Sequence, residues 1–245
     1  MYQSSTTYKN LSLERRDNVF ILTLQKPPEN RLNTWFCQEI IRALDDARKE
    51  LGRDSEGALI IRGNDTKFFC TGLDLYERDT NPYASSEGFY PLVHAILDFP
   101  FPTICLITGH VFGGASLMSL AHDYRIMNAE RGYWCMPVAD LGLHFNGMGT
   151  LLRSKLSPQV ARKVLLQGHR FKSSEALADG IIDEIAHPAA MLDRALALAN
   201  RVKSKARTGV YGLLRNELYG EAIRAFQQIS YVHTRIVARE AKVKL

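Results

Sequence analysis

The sequence predicts an α/β protein, with parallel sheets covered by helices over most of the chain and a helical tail behind them. Three observations carry this. Apolar runs of strand length alternate with helix-like stretches through the front of the chain. Two glycine-bearing turns, FFCTGLDL (Phe68–Leu75) and GHVFGGASL (Gly109–Leu117), each join a strand to a helix start. From about Gly147 onward the pattern is helical, and no internal repeat is visible.

VFILTL (Val19–Leu24) is a buried strand, and KPPEN after it is a turn. Asn33 caps a helix to about Leu51: Phe36, Ile40, Leu44, Ala47 and Leu51 share a face, and Gly52 is the stop. GALIIRG (Gly57–Gly63) is a short strand bounded by glycines. Glu87–Leu97 reads as a helix and PTICLIT (Pro102–Thr108) as the next strand. Ala115–Ala121 starts a helix, DYRIM (Asp123–Met127) is a strand, and GYWCM (Gly132–Met136) can form another. In the tail, Ser173 is expected to cap SEALAD and Gly180 to end it. Ala189–Lys203 and Gly220–Glu240 are amphipathic, the latter through Ala222, Phe226, Ile229 and Ile236. The expected division is a core over residues 1–185 and a helical region over residues 186–245.

The 245 residues suffice for one large domain or two small ones with a real core. Hydrophobic residues make up 46% and charged residues 23%, a globular balance that argues against disorder. No apolar run reaches the roughly 18–20 residues of a membrane span. The start, MYQSSTTYKN, lacks the basic-then-apolar order of a secretory signal. No membrane association is expected. Cys37, Cys70, Cys105 and Cys135 are scattered without a CxxC pair, so neither a metal site nor a disulfide framework is expected, and a reducing compartment fits. The net charge of +5 favours an anionic partner modestly. The basic residues form no dense block, so a phosphorylated small molecule is expected and nucleic acid is not.

The two turns suggest a chemistry. The first N–H groups of a helix have no partner within it and can point at an anion. Two such donors from separate loops can converge on one oxygen as an oxyanion hole, where each is worth roughly 3–4 kcal/mol to a transition state. Either turn alone reads first as a plain strand-to-helix connection.

Together the turns resemble the crotonase, or enoyl-CoA hydratase/isomerase, family. ENRLN (Glu29–Asn33), FFCTGLDL, PTICLITGHVFGGASLMSLAHDYRIM, LGLHFNGMGTLLRSKL (Leu141–Leu156) and SSEALADGIIDEI (Ser173–Ile185) carry the likeness. The resemblance implies repeated ββα turns forming two roughly perpendicular sheets, then a helical trimerisation region. It implies an acyl-CoA substrate whose thioester enolate is held in an oxyanion hole, with no separate cofactor. The donors would be the N–H of Leu73, just after Gly72, and the N–H of Gly114, just after Gly113. Thr71 falls where family members contact the adenine through the backbone.

Hydratases of the family use two glutamates, and the matching positions here are Leu117 and Val138. Other members place the acid in the next loop, which falls on Asn146. None of these three side chains titrates, so a standard hydratase is disfavoured. His144 is the first candidate for a replacement base. Asp140 reads as a turn contact and Asp74 as a helix cap. Tyr133, Trp134 and Phe145 are either acyl-pocket lining or core. Ser116 has no GxSxG frame around it, and His110 and His122 have no ligand-like spacing.

Three readings follow: a double-bond isomerase with a displaced base, an enzyme such as a malonyl-type decarboxylase that needs no glutamate, or a non-catalytic acyl-CoA-binding protein. The texture is similar to small peroxisomal isomerases. The ending Lys244–Leu245 matches part of the Ser-Lys-Leu peroxisomal address, with Val243 departing from it. A peroxisomal or cytoplasmic location is expected, and the resemblance implies a homotrimer or hexamer.

Overall fold

The computed structural model describes residues 3–227. The chain opens with three antiparallel strands, β1 (Gln3–Thr7), β2 (Leu11–Arg16) and β3 (Val19–Leu24). Helix α1 (Thr34–Leu51) returns it to β4 (Ala58–Gly63), parallel to β3. Next come β5 (Phe68–Cys70), α2 (Leu75–Thr80), a π-turn over Ser85–Phe89 and α3 (Tyr90–Leu97). Then follow β6 (Thr103–Ile107), β7 (His110–Phe112) and α4 (Gly114–Leu120), and after them β8 (Tyr124–Asn128) and β9 (Trp134–Cys135). The remaining elements are α5 (Met148–Lys155), α6 (Pro158–Gln167), α7 (Ser173–Ala178), β10 (Glu184–Ala186), α8 (Met191–Val202) and α9, described over Val210–Gln227.

The strands sort into two sheets. The large one has the order β1-β2-β3-β4-β6-β8-β10, and the small one β5-β7-β9. Beyond β3 every pairing between strands is parallel among the described residues, and a single bridge, Trp134 to Phe171, is antiparallel. The chain therefore visits the large sheet, then the small one, then a helix, and repeats. These are the expected ββα turns.

The apolar strands are continuous because both faces of the large sheet are covered. Successive residues point to opposite faces. Phe20, Leu22, Leu59, Ile61, Cys105 and Ile107 join the core that holds α1, α3 and α4. Val19, Ile21, Ala58, Ile60, Ile104 and Leu106 pack instead with Met191, Ala195, Leu198 and Val202 of α8. The division expected after residue 185 falls inside β10, which pairs with β8.

Helix α1 starts as expected: the Asn33 side chain accepts from the Phe36 N–H at 2.9 Å, and Gly52 follows with φ 73°. Three expectations need correction. Strands β1 and β2 were not anticipated, because QSSTT is polar and LSLERR offers only the alternating Leu11 and Leu13 in place of a continuous apolar run. Ser173 is the first residue of α7, not its cap; Lys172 takes the cap position, and Ser173 Oγ donates to Ala129 O at 3.5 Å. Helix α9 begins at Val210, well before the expected Gly220, and the expected helix beyond Gln227 lies outside the described residues.

Candidate active site

Leu73 and Gly114 sit on neighbouring turns. Leu32 bridges to Leu73 in parallel fashion: Leu32 N–H donates to Gly72 O, and Asp74 N–H donates to Leu32 O, both at 2.8 Å. These bonds use the peptide groups flanking Leu73, so its own N–H faces away from Leu32. On the second turn, Gly113 N–H donates to Cys135 O of β9 at 2.9 Å, and Gly114 opens α4. Among the described residues, neither the Leu73 N–H nor the Gly114 N–H donates to a protein acceptor.

The glycines before the two donors are required by the backbone. Gly72 has φ 87° and Gly113 has φ 56° with ψ −123°, regions that side chains of L-residues rarely enter. The turns also touch. A Cβ on Gly72 would lie 2.6 Å from Phe112 O and 3.0 Å from Gly114 N. The geometry thus brings two unspent backbone donors side by side on separate loops.

A profile of the family described as Enoyl-CoA hydratase/isomerase matches residues 14–236. The chain belongs to the enoyl-CoA hydratase/isomerase family. The protein named Enoyl-CoA delta isomerase 3 of Arabidopsis thaliana is 30% identical over 87% of this chain and 93% of its own length. Enoyl-CoA delta isomerase 2, peroxisomal, of the same plant is 31% identical over 86% of this chain and 92% of its own. The crystal structure of human mitochondrial delta3-delta2-enoyl-CoA isomerase superposes with a TM-score of 0.83 at 21% identity, covering 96% of this chain and 93% of that one. An enoyl-CoA hydratase structure from Mycobacterium marinum gives 0.80 at 22% identity, over 89% of this chain and 95% of that one. The architecture is therefore the crotonase fold of this family.

At the two positions matched to the hydratase glutamates the chain has apolar, buried side chains: Leu117 is fully buried on α4, and Val138 is 2% exposed. Asn146 is a tie between elements. Its N–H donates to Tyr90 Oη at 3.1 Å, and its Nδ2 donates to Ala225 O of α9 at 3.0 Å. His144 stands exposed on the same loop, beside buried Phe145.

The remaining sequence candidates fall into place as structure. Asp74 caps α2, accepting from Tyr76 and Glu77 N–H. Asp140 is exposed and lies against the Gly168 turn. Ser116 Oγ donates to Cys135 O at 2.6 Å within the core and is closed to substrate. His110 stacks between Phe112 and Tyr133. Trp134 is core, its Nε1 donating to Ser119 Oγ at 2.9 Å.

Thr71 gives its N–H to Glu29 O and its hydroxyl to a Glu29 carboxylate oxygen, both at 3.1 Å. Hydrogen bonding to Arg31, 2.7 Å away, with Thr71 adding to it, holds the Glu29 carboxyl below its usual range. Lys67 adds a further positive charge there, and Lys26 Nζ donates to Arg31 O at 2.7 Å. The sequence reading missed this cationic cluster. Its signal was present: Lys26 and Arg31 flank the PPEN turn, and Lys67 immediately precedes FFCTG.

Proposed function

We propose that the protein is an acyl-CoA enzyme that holds a thioester carbonyl between the Leu73 and Gly114 N–H groups and moves a carbon–carbon double bond of an enoyl-CoA. The observation that carries this is the pair of unspent donors on touching turns. The names of the two plant relatives, both enoyl-CoA delta isomerases, support the reaction type.

A proton α to a thioester becomes removable when negative charge arriving on the carbonyl oxygen is stabilised. Fixed amides in a dry pocket do this without reorganising. Isomerisation then needs a base that takes a proton from C2 and returns it at C4. Leu117, Val138 and Asn146 cannot do so, and we assign the role to His144, the titratable side chain of the Leu141–Asn146 segment. Its exposure requires the side chain to turn inward when substrate binds, with Phe145 and Asn146 keeping the backbone beside it in place. Lys26, Arg31 and Lys67 supply positive charge for the nucleotide phosphates beside Thr71. Coenzyme A enters as part of the substrate, and no separate cofactor is part of the proposal. The names of two plant relatives, both given as peroxisomal, support a peroxisomal location, while Lys244 and Leu245 lie outside the described residues.

One observation favours a second reading. The three family acid positions carry no titratable group, and loss of carbon dioxide from a malonyl-type thioester leaves the enolate without any base. The bond between C2 and the carboxylate carbon breaks, its electron pair passes to the enolate, and a proton is added afterwards.

The experiment is turnover of 3-enoyl-CoA, followed by the absorbance of the conjugated 2-enoyl thioester. Gly72→Ala pushes the two turns apart and is expected to lower kcat about 10²–10³-fold in folded protein, as loss of an oxyanion donor does. His144→Ala is expected to abolish isomerisation. Unchanged turnover in folded Gly72→Ala rejects the oxyanion assignment, and carbon dioxide release from malonyl-type esters selects the second reading.

A further inference from the structure

We infer that Phe89 sets the length of the acyl chain, making this a short-chain enzyme; the inference rests on the acyl-CoA reading above. Its ring lies against Gly114 and lines a cleft together with Leu73. A Cβ on Gly114 would meet Phe89 Cε2 at 3.1 Å and Cζ at 3.2 Å, with Leu73 Cγ at 3.4 Å. Phe89 also lines a cleft with Leu73, Asn33 and Glu77 whose volume is about 10 Å³. That is room for about one water. In this proposal, an acyl group whose carbonyl is held by Leu73 and Gly114 runs beside this ring within its first few carbons.

The ring is braced. Phe89 is 1% exposed and packs on Phe145, 3% exposed, with centroids 5.3 Å apart. The neighbouring Tyr90 packs on Phe226 of α9 at 6.0 Å and accepts from the Asn146 N–H through its hydroxyl. Phe89 ends the π-turn Ser85–Phe89, and the preceding Gly88 leaves no room against α1: a Cβ there would lie 2.8 Å from Thr34 Cα. The backbone that carries the ring is therefore wedged from behind. Apolar pockets discriminate by roughly tenfold or more for each methylene they cannot hold. A braced phenyl ring beside the carbonyl site excludes long chains on this basis.

The test is kcat/KM for straight-chain 3-enoyl-CoA esters from hexenoyl to dodecenoyl, with wild type, Phe89→Leu and Phe89→Ala. The wild type is expected to fall at least about tenfold across the series. Phe89→Ala is expected to flatten or reverse that fall, with Phe89→Leu between. A wild type that takes dodecenoyl as well as hexenoyl overturns the proposal, and so does a Phe89→Ala profile parallel to that of the wild type. Calorimetric binding of butanoyl-CoA and decanoyl-CoA to the wild type separates the failures. Equal affinities reject the role of Phe89 alone, whereas no binding of either ester rejects the acyl-CoA reading and this inference with it.

Discussion

His122 is wholly buried at the end of α4. Its Nδ1 lies 3.0 Å from Met118 O, an acceptor, so Nδ1 carries the proton, while Nε2 has no partner among the described residues. Burial pushes its pKa from the ordinary 6.5 down to about 3. Between those values the unfolded chain binds a proton that the folded chain refuses. Stability is therefore expected to fall as pH drops below about 6.5, by up to about 1.4 kcal/mol per pH unit. Urea unfolding at a series of pH values measures this, and His122→Leu is expected to reduce the slope in that window. An unchanged slope in a folded His122→Leu variant contradicts the assignment. At this scale much was legible: that His122 and Ser116 are structural, and that Leu117 and Val138 cannot transfer protons, follows from residue type and spacing. The exposure of His144 was not legible, because the direction of a loop side chain depends on Phe145 entering the core next to it.

A buried cation adds to the apolar contacts that join helix α9 to the body. Arg215 is 3% exposed, pairs with Asp123 at 2.9 Å, and donates to the carbonyls of Phe99, Ile96 and Ala121. It thereby binds α9 to the ends of α3 and α4. Arg215→Met is expected to cost about 3–5 kcal/mol, because it removes the ion-pair partner of the largely buried Asp123 carboxylate, which keeps its hydrogen bonds from Thr103. The double variant with Asp123→Asn should cost less than the sum of the two single changes, as measured by urea unfolding; additive costs reject the coupling. The sequence put Asp123 at the start of a strand, but its partner lies far along the chain, where no local pattern could mark it. Helices with a periodic face and a clear cap, such as α1, were legible. The start of α9 was not, since Gly212 and Gly220 interrupt its sequence.

Across the whole molecule, the outer side of α9 presents Val210, Leu213, Leu214 and Leu218, which are 46%, 66%, 57% and 66% exposed. Leu213 also lines an open cleft of about 900 Å³ with Pro100 and Phe101. Contiguous exposed apolar surface of this kind marks an association face. We propose that it joins subunits of a homotrimer or hexamer. Sedimentation of the wild type is expected to give a multiple of three chains, and Leu214→Asp with Leu218→Asp a monomer. A monomeric wild type contradicts the proposal. Among the described residues no helix is long and apolar enough to cross a membrane.

Periodicity, caps and glycines act over a few residues, so the strand–helix alternation, the start and stop of α1 and the two glycine turns could be read from the chain directly. The contact between Gly72 and Gly114, the Phe89 ring beside them and the cationic cluster around Glu29 belong to the tertiary structure. Each depends on how β5 and β7 register against one another and on which helix is folded over them. Those relations are set by packing between distant segments, and no local stretch of sequence carries them.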